Sequence, residues 1–336
     1  MKGDLEIGFL KSGRGILELT VGIYGSKAIT EHLGIFGTTG AGKSNLVKVL
    51  ASSMLHNSQY GLLIFDVHNE YYRDLSTHPL SKNRLSVYNT NPSTPHVRSL
   101  TINSDEIEPE DITGCATFTE PQLDAIYKLA TVWREQWLDY MLKYDPVDIV
   151  DELASCTGQK FQSRTISKIK SICWNLQQEL NITAEQQSAI TTILTDLAAG
   201  KVVLIEMKNI SPIGEQALAT LLSKKLLQHY AAKTYQDRQS VKPILIVLEE
   251  AHRFLGKKEH ASNNVFARLV SEARKFNLGL CIVDQQPRLL ADKVLSQLNT
   301  LFILGLASKA DRSKLETMCR RDILQQRNEI KNLECG

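Results

Sequence analysis

Residues 33–50 read LGIFGTTGAGKSNLVKVL, and the fold turns on how they divide. Leu33–Phe36 form a short apolar run of strand length. Gly37–Ser44 match the pattern GxxxxGK[ST], and from Lys43 to about Leu55 the spacing becomes helical. Strand, glycine-rich turn and helix, in that order, make a phosphate cradle. Glycines let backbone N–H groups turn inward with no Cβ in the way, and the helix adds its positive end. The expected nucleotide-binding set is therefore Gly37, Thr38, Thr39, Gly40, Ala41, Gly42, Lys43, Ser44 and Asn45. Lys43 would reach the β- and γ-phosphates, and the Ser44 hydroxyl would ligate magnesium, which makes ATP and Mg²⁺ the expected cofactor pair.

A phosphate loop of this kind needs a second strand that carries carboxylates to the same place. The stretch 244–252, ILIVLEEAH, supplies one: a run apolar enough to be buried that ends in two adjacent glutamates. Buried carboxylates are costly unless paired, hydrogen-bonded or beside a cation. Glu249 is thus expected at the metal and Glu250 at the attacking water; the competing reading makes Glu250 a plain helix-start acid.

Outward from these two stretches, short apolar strands alternate with helical patterns, as in a parallel sheet covered by helices. The expected class is α/β, a P-loop core with a mostly parallel sheet plus a helical insertion. Strands are expected at 61–66, 84–88, 202–205, 243–249, 278–283 and 301–304. Between about 119 and 199 strand signals vanish and helical segments carry all three tryptophans, Trp133, Trp137 and Trp174. The chain accordingly divides into a lead-in (1–31), a first core part (32–118), a helical insertion (119–199), a second core part (200–318) and a charged, helical tail (319–336).

Composition narrows the setting. With 43% hydrophobic and 23% charged residues among 336, the chain can bury a full core, and no apolar run reaches the roughly 18 residues of a membrane span. The start, MKGDLEIGFLKSG, lacks the apolar stretch and cleavage site of a signal peptide, so a cytoplasmic protein is expected. Six scattered cysteines without a CxxC pair read as reduced thiols, and no zinc site is suggested. A net charge of +2 permits a nucleic-acid partner without requiring one.

The stretches HLGIFGTTGAGKSN (32–45), LLIFDVHNEY (62–71), ILIVLEEAHRFL (244–255), VSEARKFNLGLCIVDQQP (270–287) and VLSQLNT (294–300) together resemble the HerA-type ATPases of the HerA/FtsK superfamily. That resemblance implies a hexameric ring of RecA-like cores and ATP-driven translocation on double-stranded DNA, with a NurA-type nuclease as a partner. It also implies roles. Gln285 becomes the sensor of the γ-phosphate or water, and Arg274 an arginine finger presented to the neighbouring subunit, with Lys275, Arg288 and Arg312 as rivals. Asp66, His68 and Glu70 match the acidic motif after the second strand. In a ring motor, basic pore loops grip phosphates, which points to Lys257 and Lys258 after the catalytic strand, and secondarily to the stretch 160–170, KFQSRTISKIK. Family members typically carry an N-terminal β-barrel that is expected to be absent here, and their sensor stretch runs closer to SQRPS than to Asp284–Arg288. The end at Glu334-Cys-Gly336 is expected to reflect a truncated or trimmed chain. The rival class is an assembly or switch subunit of defence or partition type, or a viral or conjugative DNA pump built on the same core.

Overall fold

The computed structural model describes residues 3–12, 15–233, 241–256, 265–318, 330–331 and 333. Nine strands matter to the site: β1 (Leu5–Ser12), β2 (Gly15–Ile23), β3 (Leu33–Phe36), β4 (Gly61–Asp66) and β5 (Leu85–Asn89), then β6 (Val202–Glu206), β7 (Ile244–Leu248), β8 (Leu278–Asp284) and β9 (Thr300–Ile303). Contacts group the chain into two compact units. One holds the described residues up to Tyr88, Ile193–Lys208 and those from Ser223 on; the other holds Asn89–Thr192 and Asn209–Leu222.

In the first unit β3 to β9 form one sheet in the order β9-β3-β8-β7-β4-β6-β5, with every pairing parallel. All residues of β3, β4, β6, β7 and β8 are buried, as strands covered on both faces must be. Their sequences, LGIF, GLLIFD, VVLIE, ILIVL and LGLCIVD, are continuous apolar runs for that reason. The order has one consequence that governs everything else: β8 lies between the phosphate-loop strand β3 and the glutamate strand β7. Register aligns their C-terminal ends, with Phe36 beside Asp284 and Leu248 beside both Ile282 and Phe65.

Close packing under β8 explains its second residue. A Cβ on Gly279 would lie 1.7 Å from the Ile29 carbonyl oxygen, so the helix Gly25–Thr30 can cross the strand only over glycine. Beside it His32, 4% exposed, accepts the Leu280 N–H at Nδ1 (3.0 Å) and donates from Nε2 to the Val270 carbonyl (3.2 Å). Those two bonds fix the neutral tautomer. Burial, chiefly, together with nearby Arg274, lowers its pKa to about 4. The unfolded chain therefore takes up the proton first as pH falls. His32 contributes its full stability above about 6.5 and loses it on acidification through about 4, a swing of about 3 kcal/mol at ~1.4 kcal/mol per pH unit. Denaturant unfolding at stepped pH should show this slope, and His32→Asn, which tolerates the positive φ of 58° there, should flatten that part of the profile.

Strands begin earlier in the chain than the sequence pattern indicates. β1 and β2 pair as an antiparallel hairpin inside the stretch read as a plain lead-in, with bulges between Glu6 and Gly8 and between Phe9 and Lys11. The bulges break the alternation of LEIGFLKS, which hides the strand from pattern reading.

The second unit is helical. Its helices Glu120–Trp133, Trp137–Lys143, Pro146–Thr157 and Ser163–Leu180 pack Trp137, Leu138, Met141, Ile149, Leu153, Ile169 and Cys173 into a core. The first helix opens on a capping box, with the Gln122 side chain accepting the Thr119 N–H at 2.8 Å. Trp137 donates its indole N–H to the Ile107 carbonyl (2.8 Å). The helical reading started at 119, and the compact unit that holds these helices also takes in 89–118 and 209–222. Among the described residues Cys115, Cys156, Cys173 and Cys281 are free thiols, and no helix is long and apolar enough to cross a membrane.

Candidate nucleotide-hydrolysing site

The site is assembled at the C-terminal ends of β3, β8, β7 and β4. After β3 the chain turns at Gly37, whose N–H donates to the Asp284 carbonyl (3.4 Å), while Thr38 N–H donates to Gly305 O (2.9 Å). Gly40 (φ 77°) and Gly42 (φ 94°) take left-handed conformations, and a Cβ on either would meet open space. Glycine is needed there for backbone angle, and the space beside it is a cradle for a ligand. The helix Lys43–His56 starts directly behind Gly42, and its first-turn N–H groups have no intrahelical acceptor. Anion binding by N–H groups and helix dipole is what this geometry offers.

Lys43 bends over the loop and donates to the carbonyls of Gly37 (3.0 Å) and Thr38 (3.1 Å). Burial lowers its pKa, and four carboxylates oppose that shift: Glu250, Asp284, Glu249 and Glu70. One lysine among four acids leaves an excess of negative charge that a divalent cation would offset.

The two glutamates after β7 have separate surroundings. Glu249 is 4% exposed; its Oε1 accepts the Tyr71 phenol O–H, and its Oε2 is buried with no hydrogen-bond partner. Burial, with Asp66, Glu70 and Glu250 nearby, raises its pKa to about 7. A buried, unpartnered carboxylate oxygen is the donor that Mg²⁺ or its water would take. Ser44 and Glu249 thus fit the ion. Among the described residues no three His, Cys, Asp or Glu side chains converge as a ready-made cage.

Glu250 sits at φ 46°, a left-handed angle uncommon outside glycine and found where chains are held for function. Its Oε1 accepts from Gln285 Nε2 (2.8 Å), and Gln285 Oε1 accepts the Thr39 hydroxyl (2.5 Å). A glutamine between a hydroxyl and a carboxylate can face only this way, oxygen to the donor and nitrogen to the acid. The phosphate loop and Glu250 are thereby joined through the strand that separates them. Asp284, fully buried, fixes the turn by accepting the backbone N–H groups of His252 (2.7 Å) and Gln286 (2.7 Å) and the His252 ring at 3.0 Å.

Asp66, at the end of β4, is also fully buried, and its carboxylate accepts the N–H groups of Glu70 (3.0 Å) and Tyr71 (3.1 Å). Burial raises its pKa. Asp66 shapes the turn that delivers Tyr71 to Glu249. His68 and Glu70 are exposed. Tyr71 was not among the site residues read from sequence; the signal for it is the motif DVHNEY, whose last residue follows the acids.

The sequence-expected residues are thus brought together for the loop, Lys43, Ser44, Glu249, Glu250 and Gln285. Arg274 lies elsewhere. It sits before β8 begins, 67% exposed, near Glu31 (3.7 Å), at the sheet edge opposite the phosphate loop. Lys275 is exposed beside it. Arg288 donates to Gln286 Oε1 (3.2 Å) and approaches Asp311 (4.0 Å). Arg312 is buried and donates to the carbonyls of Leu306 and Ala307, a structural use of the guanidinium. Lys257 and Lys258 lie outside the described residues. In the stretch 160–170, Lys160 reaches Asp151 (3.9 Å), and Lys170 donates to the Tyr144 carbonyl.

Comparison with known proteins agrees with this geometry. The family described as "Helicase HerA, central domain" matches residues 5–226. The DNA double-strand break repair helicase HerA of Sulfurisphaera tokodaii is 29% identical over 307 residues, which cover 85% of this chain and 57% of that protein. A probable helicase of Methanocaldococcus jannaschii, MJ1565, is 25% identical over 321 residues, 94% of this chain and 60% of that protein. The chain thus spans about three-fifths of the length of these relatives. The plasmid coupling protein TrwB in complex with ADP and Mg²⁺ superposes with a TM-score of 0.62 at 14% identity, over 92% of this chain and 81% of that one. VirB4 of Thermoanaerobacter pseudethanolicus gives a TM-score of 0.57 at 14% identity, over 99% and 92%. These likenesses bear out the α/β core expected from the alternating strands and helices and its RecA-like form, which the resemblance implied.

Proposed function

The chain belongs to the HerA helicase family through its central domain, and on that footing we propose that it is an ATP-hydrolysing motor that translocates on double-stranded DNA. The observation that carries the reading is the chain Thr39–Gln285–Glu250. A protein that only bound nucleotide would need the loop and Lys43. It would have no use for a carboxylate held at a strained backbone angle and tied to that loop.

In this reading Lys43 and the loop N–H groups hold the β- and γ-phosphates. Ser44 and Glu249 hold Mg²⁺, which when bound neutralises charge on the phosphates. Gln285 orients a water, and the Glu250 carboxylate takes its proton as the water oxygen bonds to the γ-phosphorus. The bond from that phosphorus to the bridging oxygen breaks, giving ADP and phosphate. Arg274 stands at the opposite sheet edge from its own loop, so it serves as a finger only toward a neighbouring copy, and a ring of copies, six in this proposal, supplies one. A NurA-type nuclease is the partner we assign to that ring.

Charge supports DNA on the ATPase unit. The helical unit carries eight Lys and Arg against sixteen Asp and Glu, a net −8, which leaves +10 for the rest of the +2 chain. A polyanion is drawn to the latter. The basic stretch 160–170 lies within the acidic unit, so we place the DNA contact on Lys257 and Lys258 after the catalytic strand. Displacement of a third strand from a linear triplex tests the motor. ATP-dependent displacement, lost on added salt as phosphate contacts weaken, is expected; nucleotide binding with no displacement at any salt would favour a switch subunit.

A further inference from the structure

We propose that Tyr71 is the positioning residue that presents Glu249 to Mg²⁺; the inference rests on Glu249 holding the ion, directly or through its water. Tyr71 has no exposed surface, and its phenol reaches from the loop after β4 to Glu249 at the end of β7. Its O–H donates to Glu249 Oε1, so the proton faces away from Oε2, the oxygen left buried and unpartnered. One oxygen of Glu249 is thus held by the phenol while the other is left for the ion or its water.

The phenol is itself held firmly. Its backbone N–H donates to Asp66 Oδ2 (3.1 Å), and Lys48 Nζ, paired with Asp74 at 2.6 Å, stands 5.9 Å from the ring centroid. Asp66 therefore acts on the metal site through Tyr71. Groups that orient a metal's ligands commonly matter nearly as much as the ligands do.

The test is a titration of free Mg²⁺ against binding of a fluorescent ADP analogue, on the full chain and on Tyr71→Phe, with a parallel measurement in EDTA. The substitution should raise the Mg²⁺ needed for half-maximal enhancement by roughly 10- to 100-fold while leaving binding in EDTA unchanged. Equal Mg²⁺ curves for the two proteins would overturn the proposal, as would an equal loss with and without Mg²⁺, which is what general damage to the site produces. Absence of any Mg²⁺ enhancement in the parent chain would instead remove the metal reading beneath it. Should Tyr71→Phe fail to fold, 4-fluorophenylalanine at position 71 fills the hydroxyl's volume without its proton and is judged by the same curves.

Discussion

Glu250→Gln is expected to lower ATP turnover by roughly 10²- to 10⁴-fold, the usual worth of a positioned general base, while nucleotide affinity stays within a few-fold of the parent. The change is conservative where it must be. A glutamine at 250 keeps an oxygen that can accept from Gln285 Nε2, so the chain from Thr39 through Gln285 survives. It keeps the length of the side chain and imposes no new demand on the backbone at φ 46°. What goes is the negative charge and the ability to take a proton. Single-turnover hydrolysis beside equilibrium binding separates these effects. Unchanged turnover would return Glu250 to the plain helix-start reading.

Lys43→Ala should act on binding as well as on turnover. The lysine supplies a charge-assisted contact worth about 1.5–3 kcal/mol, so affinity for MgATP should fall roughly 10- to 100-fold and turnover should be lost at ordinary substrate levels. Its removal also leaves Glu70, Glu249, Glu250 and Asp284 without the cation that offsets them. The fold itself should hold, because the Lys43 ammonium bonds only to loop carbonyls and the strands beneath are buried independently. Isothermal titration with MgATP and with MgADP checks the affinity, and circular dichroism checks the fold.

The phosphate loop and the glutamate pair were legible in the sequence because their chemistry depends on residue type at fixed spacing. The five buried strands were legible because double-sided burial writes continuous apolar runs such as ILIVL. Gln285 could be assigned as a partner of the site, yet its link to both Thr39 and Glu250 depends on β8 lying between β3 and β7, and strand order is not written in any local pattern. Tyr71 stayed hidden for a similar reason. A tyrosine after an acidic turn reads as core, and only the pairing of β4 with β7 brings its phenol to Glu249. The hairpin of β1 and β2 was masked by its bulges, and Arg274 was found by resemblance alone, which says nothing about which edge of the sheet it occupies.

Hydrolysis coupled to movement along DNA is best checked by steady-state ATP turnover of the purified chain as linear double-stranded DNA is added. A saturable rise in turnover that disappears in Glu250→Gln is expected. Turnover that is measurable yet indifferent to DNA at low salt would rule the motor out.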